Sequence, residues 1–301
     1  MVRFSDPAIH AVSGAAGGCV AMAITYPLVC LSTRAQVKAQ NNSDESFRSA
    51  AIKVLKEEGI SGLYDGLASS LVGIAITNGI YYLFFEETRA LLLKTRTRKG
   101  AFTTLESIVM SAIAGAATSI LSNPIWVVNT RQTVRGSGGV VEKKLNIWET
   151  VKDILKTDGP IAFWHGLGPA LLLVSNPILQ YTLFEQLKNI IAARRKKNQT
   201  PGALLTDLDF FLLGAVSKLF ATAITYPYLT VKARMQAGNA EGRTYSSSFD
   251  GVSKILKSEG PQGLYRGVGP KLTQSVATAA ILFLAKEKIY QTTVKTLSVI
   301  A

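Results

Sequence analysis

The pentapeptide Ala-Ile-Thr-Tyr-Pro stands at 23–27 and again at 223–227, and between them Ser122-Asn123-Pro124 ends a similar apolar run. A fixed period constrains architecture more than local propensity does, because each copy must be one structural unit that buries its apolar face against its neighbours. The prolines Pro27, Pro124 and Pro227 lie 97 and 103 residues apart, and seven positions after each comes an arginine: Arg34, Arg131 and Arg234. Each copy then carries an acidic-glycine pair and an aromatic-X-glycine. These are Glu58-Gly59 with Tyr64-Asp65-Gly66, Asp158-Gly159 with Trp164-His165-Gly166, and Glu259-Gly260 with Tyr265-Arg266-Gly267. The register predicts three units, 1–99, 100–200 and 201–301.

Composition decides what surrounds these units. Of 301 residues, 48% are hydrophobic and 18% charged, yet Lys+Arg number 33 against 20 Asp+Glu, a net charge of +13. A soluble nucleic-acid binder with that charge would carry less apolar sequence. The charges crowd instead into short stretches, such as 94–99 and 194–197, between long runs nearly free of them, as at the ends of membrane spans. Cys19 and Cys30 make neither a disulfide framework nor a CxxC pair. No catalytic or phosphate-loop motif accompanies His10 and His165, so no enzyme and no cofactor is expected. Residues 1–7 do not show a basic-leader pattern, so insertion is expected to use internal signals.

In each unit the pattern predicts two long helices joined by a short surface helix. The first long helices are placed at 8–37, 104–134 and 205–237, each long enough to span a bilayer, which takes about 20 residues. Small residues at four-residue spacing, Gly14 and Gly18 or Ser111 and Gly115, suit close backbone approach in lipid. Pro27, Pro124 and Pro227 are expected to bend them. The second long helices are placed at 67–94, 168–192 and 268–292. Between each pair lies an amphipathic stripe, Phe47, Ala51, Val54 and Leu55, then Trp148, Val151, Ile154 and Leu155, then Phe249, Val252, Ile255 and Leu256. Such a helix belongs along the membrane surface.

Six spans in three tandem pairs with these motifs resemble the mitochondrial carrier family of solute transporters, over essentially the whole chain. The resemblance implies an all-α membrane protein: six transmembrane helices in three tandem repeats, forming a pseudo-threefold barrel with a central cavity and short surface helices. It also implies alternating access between two gates.

The departures from the family pattern are informative. The family motif Pro-x-acid-x-x-base-x-base-x-Gln has here Val29, Trp126 and Leu229 at the acidic place, and Ser32, Asn129 and Lys232 at the first basic place. The usual ring of matrix-side ion pairs therefore cannot form, and Ser32, Asn129 and the braces Gln36 and Gln236 are expected to substitute for it. At the opposite gate the resemblance assigns Glu86 with Arg89 and Glu185 with Lys188, whereas the third copy keeps Glu287 but lacks the base. These doublets also read as ordinary i, i+3 helix pairs. The same departures are similar to the peroxisomal branch, described as adenine nucleotide carriers with relatives handling coenzyme A and other nucleotide cofactors.

A nucleotide needs cations at membrane depth and an apolar or aromatic slot for its base. Lys218 stands in the otherwise uncharged run 210–231, where a charge costs about 2.5–3.5 kcal/mol on insertion scales, so it is expected to face the cavity. The family's contact points fall on Gly73, which leaves space, on Leu173 with Val174, an apolar patch, and on Gln274. Lys271, Arg34, Arg131 and Arg234 are candidates for further phosphate contacts. Asn78, Asn176, Tyr82 and Tyr181 are candidates for base or ribose, with helix packing an equal alternative. Trp126 reads as a packing replacement for the lost carboxylate. The run Arg194, Arg195, Lys196, Lys197 is expected to contact peroxisomal membrane import factors, with anionic-lipid binding the other reading.

The function so implied is a peroxisomal membrane exchanger of ATP for AMP or ADP, supplying ATP for fatty-acid activation. Its partners are adenine nucleotides and the lipid bilayer, without nucleic acid. A carrier of coenzyme A, NAD or FAD, a non-transporting membrane scaffold and residence in the mitochondrial inner membrane are the alternatives.

Overall fold

A computed structural model describes residues 6–38, 47–95, 102–135, 144–197, 205–238, 245–278 and 281, all in helices and short connections without a strand. The first repeat contains α1 (Asp6–Val37), α2 (Phe47–Glu57), α3 (Gly59–Gly62) and α4 (Leu67–Thr95). The second contains α5 (Thr104–Val134), α6 (Ile147–Thr157), a single 3-10 turn (Pro160–Trp164), α7 (Leu167–Leu173) and α8 (Ser175–Lys197). The third contains α9 (Asp207–Ala237), α10 (Ser248–Leu264) and α11 (268–278). Five helical stretches among the described residues are long and apolar enough to cross a membrane. The sixth expected span, 268–292, lies mostly outside the described residues, as does Glu287.

The odd long helices begin where local chemistry satisfies their free backbone N–H groups. Thr103 with Glu106 starts α5 and Thr206 with Asp209 starts α9, each a reciprocal capping box. Asn146 with Glu149 does the same for α6. The helices α1, α5 and α9 each run through their proline without breaking. They pack against one another, while α4 lies along α5 and α8 along α9.

One even helix departs from the expected continuity. The helix predicted at 168–192 is split at Val174 into α7 and α8. Pro177 accounts for this, since it has no N–H to donate to the Leu173 carbonyl and its ring crowds that turn.

The amphipathic stripes also divide. Val54, Ile154 and Ile255 are buried against Leu31, Val128 and Val231, each four residues after its repeat's proline. Leu55, Leu155 and Leu256, with Trp148 and Phe249, stay exposed. One edge of each surface helix thus clamps the odd helix and the other is free for the bilayer interface.

Two glycines per repeat turn the chain between these elements, with φ of +70°, +77° and +69° at Gly59, Gly159 and Gly260 and of +87°, +78° and +74° at Gly66, Gly166 and Gly267. At Gly267 an added Cβ would also lie 2.7 Å from the Ser32 carbonyl oxygen in the neighbouring repeat. Gly267→Ala is therefore expected to destabilise by about 1–3 kcal/mol from backbone conformation alone, with the clash adding to it. A fall in the melting midpoint of the purified protein measures this, and an unchanged midpoint would contradict the tight inter-repeat fit.

Candidate functional site

The C-terminal ends of α1, α5 and α9 are gathered by three rings of contacts, two of them obeying the threefold register throughout. In the first, each arginine is paired with the acidic-glycine carboxylate of its own repeat: Arg34 with Glu58 at 2.5 Å, Arg131 with Asp158 at 2.5 Å and Arg234 with Glu259 at 2.6 Å. Each arginine Nε also donates to the next repeat, Arg34 to the Thr133 carbonyl, Arg131 to that of Gln236 and Arg234 to that of Gln36. This corrects the expectation that the three arginines hold substrate phosphate. Their guanidinium groups are already occupied, and they brace the closed end.

The second ring is neutral. Gln36 Nε2 donates to the Tyr226 hydroxyl at 3.0 Å, Gln236 accepts from Thr130 and donates to Asn123 Oδ1, and Thr133 meets the Tyr26 hydroxyl at 3.4 Å. The contacts of Gln36 with Tyr226, Gln236 with Asn123 and Thr133 with Tyr26 each join the place nine residues after one proline to the residue just before another repeat's proline. Tyr26, Asn123 and Tyr226 also bond the X carbonyl of their own aromatic-X-glycine, on Asp65, His165 and Arg266. These three residues were passed over in the sequence, although their place before each proline was visible. Neutral hydrogen bonds of this kind contribute about 0.5–1.5 kcal/mol each, and these join the repeats to one another without a carboxylate.

The third ring is incomplete. Ser32 Oγ donates to the Gly267 carbonyl at 3.0 Å, and Asn129 Nδ2 donates to the Gly66 carbonyl at 2.8 Å and to Ser69 and Ser70. Lys232 stands at the equivalent place, with its backbone and side-chain stem against Gly166. Among the described residues its ammonium has neither hydrogen bond nor carboxylate.

Further from this end, Lys218 Nζ reaches Asn176 Oδ1 at 3.4 Å, and Asn176 Nδ2 donates to Thr225 at 2.6 Å. Asn176 thus links α8 to α9 and sits beside the lysine. Gln274, one turn beyond Lys271, is buried at 8% exposure; its Nε2 donates to Thr278, while its Oε1 has no partner. An unmatched buried acceptor fits a ligand hydroxyl or amino group.

Other expected positions are placed differently. Gly73 does not leave space, because Ile125 and the Trp126 ring fill it, with Trp126 Nε1 bonded to Thr77 at 3.1 Å. Val174 packs on Gly115, where an added Cβ would lie 2.9 Å from it, so this small residue serves helix contact. Gly18 has open space around it. Leu173 ends α7 beside that junction. Asn78, Tyr82 and Tyr181 have exposed side chains. Glu86 with Arg89 and Glu185 with Lys188 are pairs along their own helices at 3.0 and 2.6 Å. The interhelix tie in that region is Arg195 with Asp209 at 2.7 Å, which engages one member of the expected targeting run. Arg194 is exposed, and the side chains of Lys196 and Lys197 lie outside the described residues.

Comparison with known proteins follows the same three units. The model for "Mitochondrial carrier protein" matches residues 4–96, 100–195 and 206–297. The chain belongs to the mitochondrial carrier family. Its membership makes it a membrane transporter and not an enzyme. Peroxisomal membrane protein PMP47B of Candida boidinii is 34% identical, with 95% of this chain and 87% of the relative covered. The peroxisomal nicotinamide adenine dinucleotide carrier of Arabidopsis thaliana is 34% identical over 95% of this chain and 96% of its own. Peroxisomal membrane protein PMP34 of Mus musculus is 33% identical over 93% and 92%.

Proposed function

We propose that this carrier resides in the peroxisomal membrane and exchanges ATP for AMP or ADP by alternating access, supplying ATP for fatty-acid activation inside the organelle. One observation carries the substrate class: Lys218 stands within the otherwise uncharged run 210–231 of α9, beside Asn176, with no carboxylate paired to it among the described residues. A cation inside an apolar span calls for an anionic partner, because charge is costly at membrane depth. Phosphate oxygens supply it. The unmatched acceptor of Gln274 suits a ribose hydroxyl or the adenine amino group, and Asn176 stands beside Lys218.

The peroxisomal relatives support the membrane assigned, with Arg194 and its basic neighbours as the contact for import factors. A second reading has its own support. The relative named as a peroxisomal nicotinamide adenine dinucleotide carrier favours NAD, and coenzyme A shares the same adenylate moiety.

The two readings separate in a competition assay. With labelled ATP exchanging into ATP-loaded liposomes, unlabelled ATP, ADP and AMP are expected to compete at least about tenfold better than NAD, coenzyme A or FAD. NAD or coenzyme A competing better than AMP would move the substrate to the second reading.

A further inference from the structure

We propose that the threonine of the repeated pentapeptide fixes which way a substrate-reading amide points, so that Gln274 meets the substrate as an acceptor and selects a hydrogen-bond donor on it. The inference rests on the nucleotide reading above and deepens it. Thr25 and Thr278 become positioning residues for a specificity that Gln274 expresses.

A threonine hydroxyl has one proton to give and can still accept. Thr25 Oγ1 donates to the Ala21 carbonyl at 2.8 Å, one turn back along α1, and lies 2.9 Å from Thr278 Oγ1 on α11. With the Thr25 proton committed to Ala21, the proton in the second contact comes from Thr278. Thr278 Oγ1 is then left as an acceptor, and it receives Nε2 of Gln274 at 2.9 Å. The donors run one way, from Gln274 through Thr278 and Thr25 to the Ala21 carbonyl. Such a network decides the orientation of an amide. Turning Gln274 over would set its carbonyl oxygen against a hydroxyl oxygen with no proton left to offer. Gln274 Oε1 is therefore the atom held unmatched, buried and without a partner among the described residues.

The third repeat uses the same device. Thr225 donates to the Ala221 carbonyl at 2.8 Å and so receives Nδ2 of Asn176 at 2.6 Å. That turns Asn176 Oδ1 toward Lys218 Nζ, 3.4 Å away. The threonines and alanines of the two copies hold the same places, two and six residues before Pro27 and Pro227. The second repeat, which lacks the pentapeptide, bonds its neighbour differently, through Trp126 Nε1 and Thr77. Held as an acceptor, Gln274 favours a substrate N–H or O–H and opposes a carbonyl. In an adenine nucleotide the donors are the 6-amino group and the ribose hydroxyls. Hypoxanthine replaces that amino group by a carbonyl oxygen, and a deoxyribose lacks one hydroxyl.

The test is competition against labelled ATP exchange in liposomes holding the purified full-length protein, with unlabelled ATP, inosine triphosphate, 2′-deoxy-ATP and 3′-deoxy-ATP. The wild type is expected to prefer ATP at least about tenfold over one of these analogues, because a buried polar group left unpaired is costly. Inosine triphosphate is the one rejected if the amino group is read, and a deoxynucleotide if a hydroxyl is. Thr278→Val removes the acceptor that holds Nε2 and is expected to bring the preference within about threefold. Thr25→Val is expected to do the same, because the Thr278 proton is then free to turn to Gln274 Oε1. Thr278→Ser is expected to keep the preference. Each preference is a ratio within one preparation, so partial loss of folded protein leaves it unchanged, and Thr25→Val preserves the test if Thr278→Val does not fold. A merely structural tie between α1 and α11 predicts slower exchange with the preference intact in the valine variants, and that result would overturn the proposal. So would a wild type indifferent to all three analogues. ATP exchange with an unmoved preference overturns this inference alone, whereas a wild type exchanging no adenine compound overturns the nucleotide reading with it.

Discussion

Arg234→Ala is expected to lower the melting midpoint of the purified protein further than alanine at either equivalent arginine. The ranking follows from burial. The Arg234 and Glu259 side chains are 3% and 2% exposed, those of Arg34 and Glu58 7% and 10%, and those of Arg131 and Asp158 16% and 18%. Removing one partner of a buried pair leaves the other charge uncompensated, at a cost of about 3–5 kcal/mol. Arg266, 3.7 Å from Glu259, offsets part of this. The lost Nε bond to the Gln36 carbonyl adds to it by untying the third repeat from the first. The double variant Arg234→Ala with Glu259→Gln is expected to regain part of the loss, since it removes the stranded carboxylate. Equal loss at all three arginines would mean that burial does not set the energetics of the closed end.

The second large effect concerns transport. Lys218→Ala is expected to cut nucleotide exchange by at least about tenfold while leaving the melting midpoint nearly unchanged, because the lysine has an exposed side chain and its bond to Asn176 is long, at 3.4 Å. A charge-assisted contact to phosphate amounts to roughly 1.5–3 kcal/mol, which corresponds to that factor. Lys218→Arg is expected to retain much of the rate. Unaltered exchange by the alanine variant would remove Lys218 from the phosphate site.

Much of the fold was legible because repetition fixes it. The odd helices predicted at 8–37, 104–134 and 205–237 are found at 6–37, 104–134 and 207–237, since caps and apolar runs are local signals. The break at Val174 was equally local and was passed over, although Pro177 marks it. The closed end was legible only in part. Gln36 and Gln236 were singled out and each bonds another repeat, but the arginines' partners lie 24, 27 and 25 residues downstream. No helical periodicity connects residues so far apart. The signal that would have found them is recurrence itself: a base and a later acid, conserved in register across all three copies, call for a contact within each repeat. Gly73 shows the opposite difficulty. A glycine in a span reads equally well as room for a ligand or as a seat for a neighbour, and only packing reveals Trp126 in that seat.

The lysines illustrate why function stood apart from fold in legibility. Lys218 declared itself by its charge inside an apolar run, whereas Lys232 looked like a surviving gate base. Its isolation became visible only when Ser32 and Asn129 were seen to be satisfied at the equivalent places.

The central claim, an exchanger that alternates access to one anion-binding path, is tested most directly by uptake of labelled ATP into liposomes holding the purified protein, with and without internal ATP. The account predicts fast uptake into ATP-loaded vesicles and uptake near background into vesicles loaded with a non-nucleotide. Comparable uptake into both would contradict obligatory exchange, and no uptake into either by folded protein would contradict nucleotide transport itself.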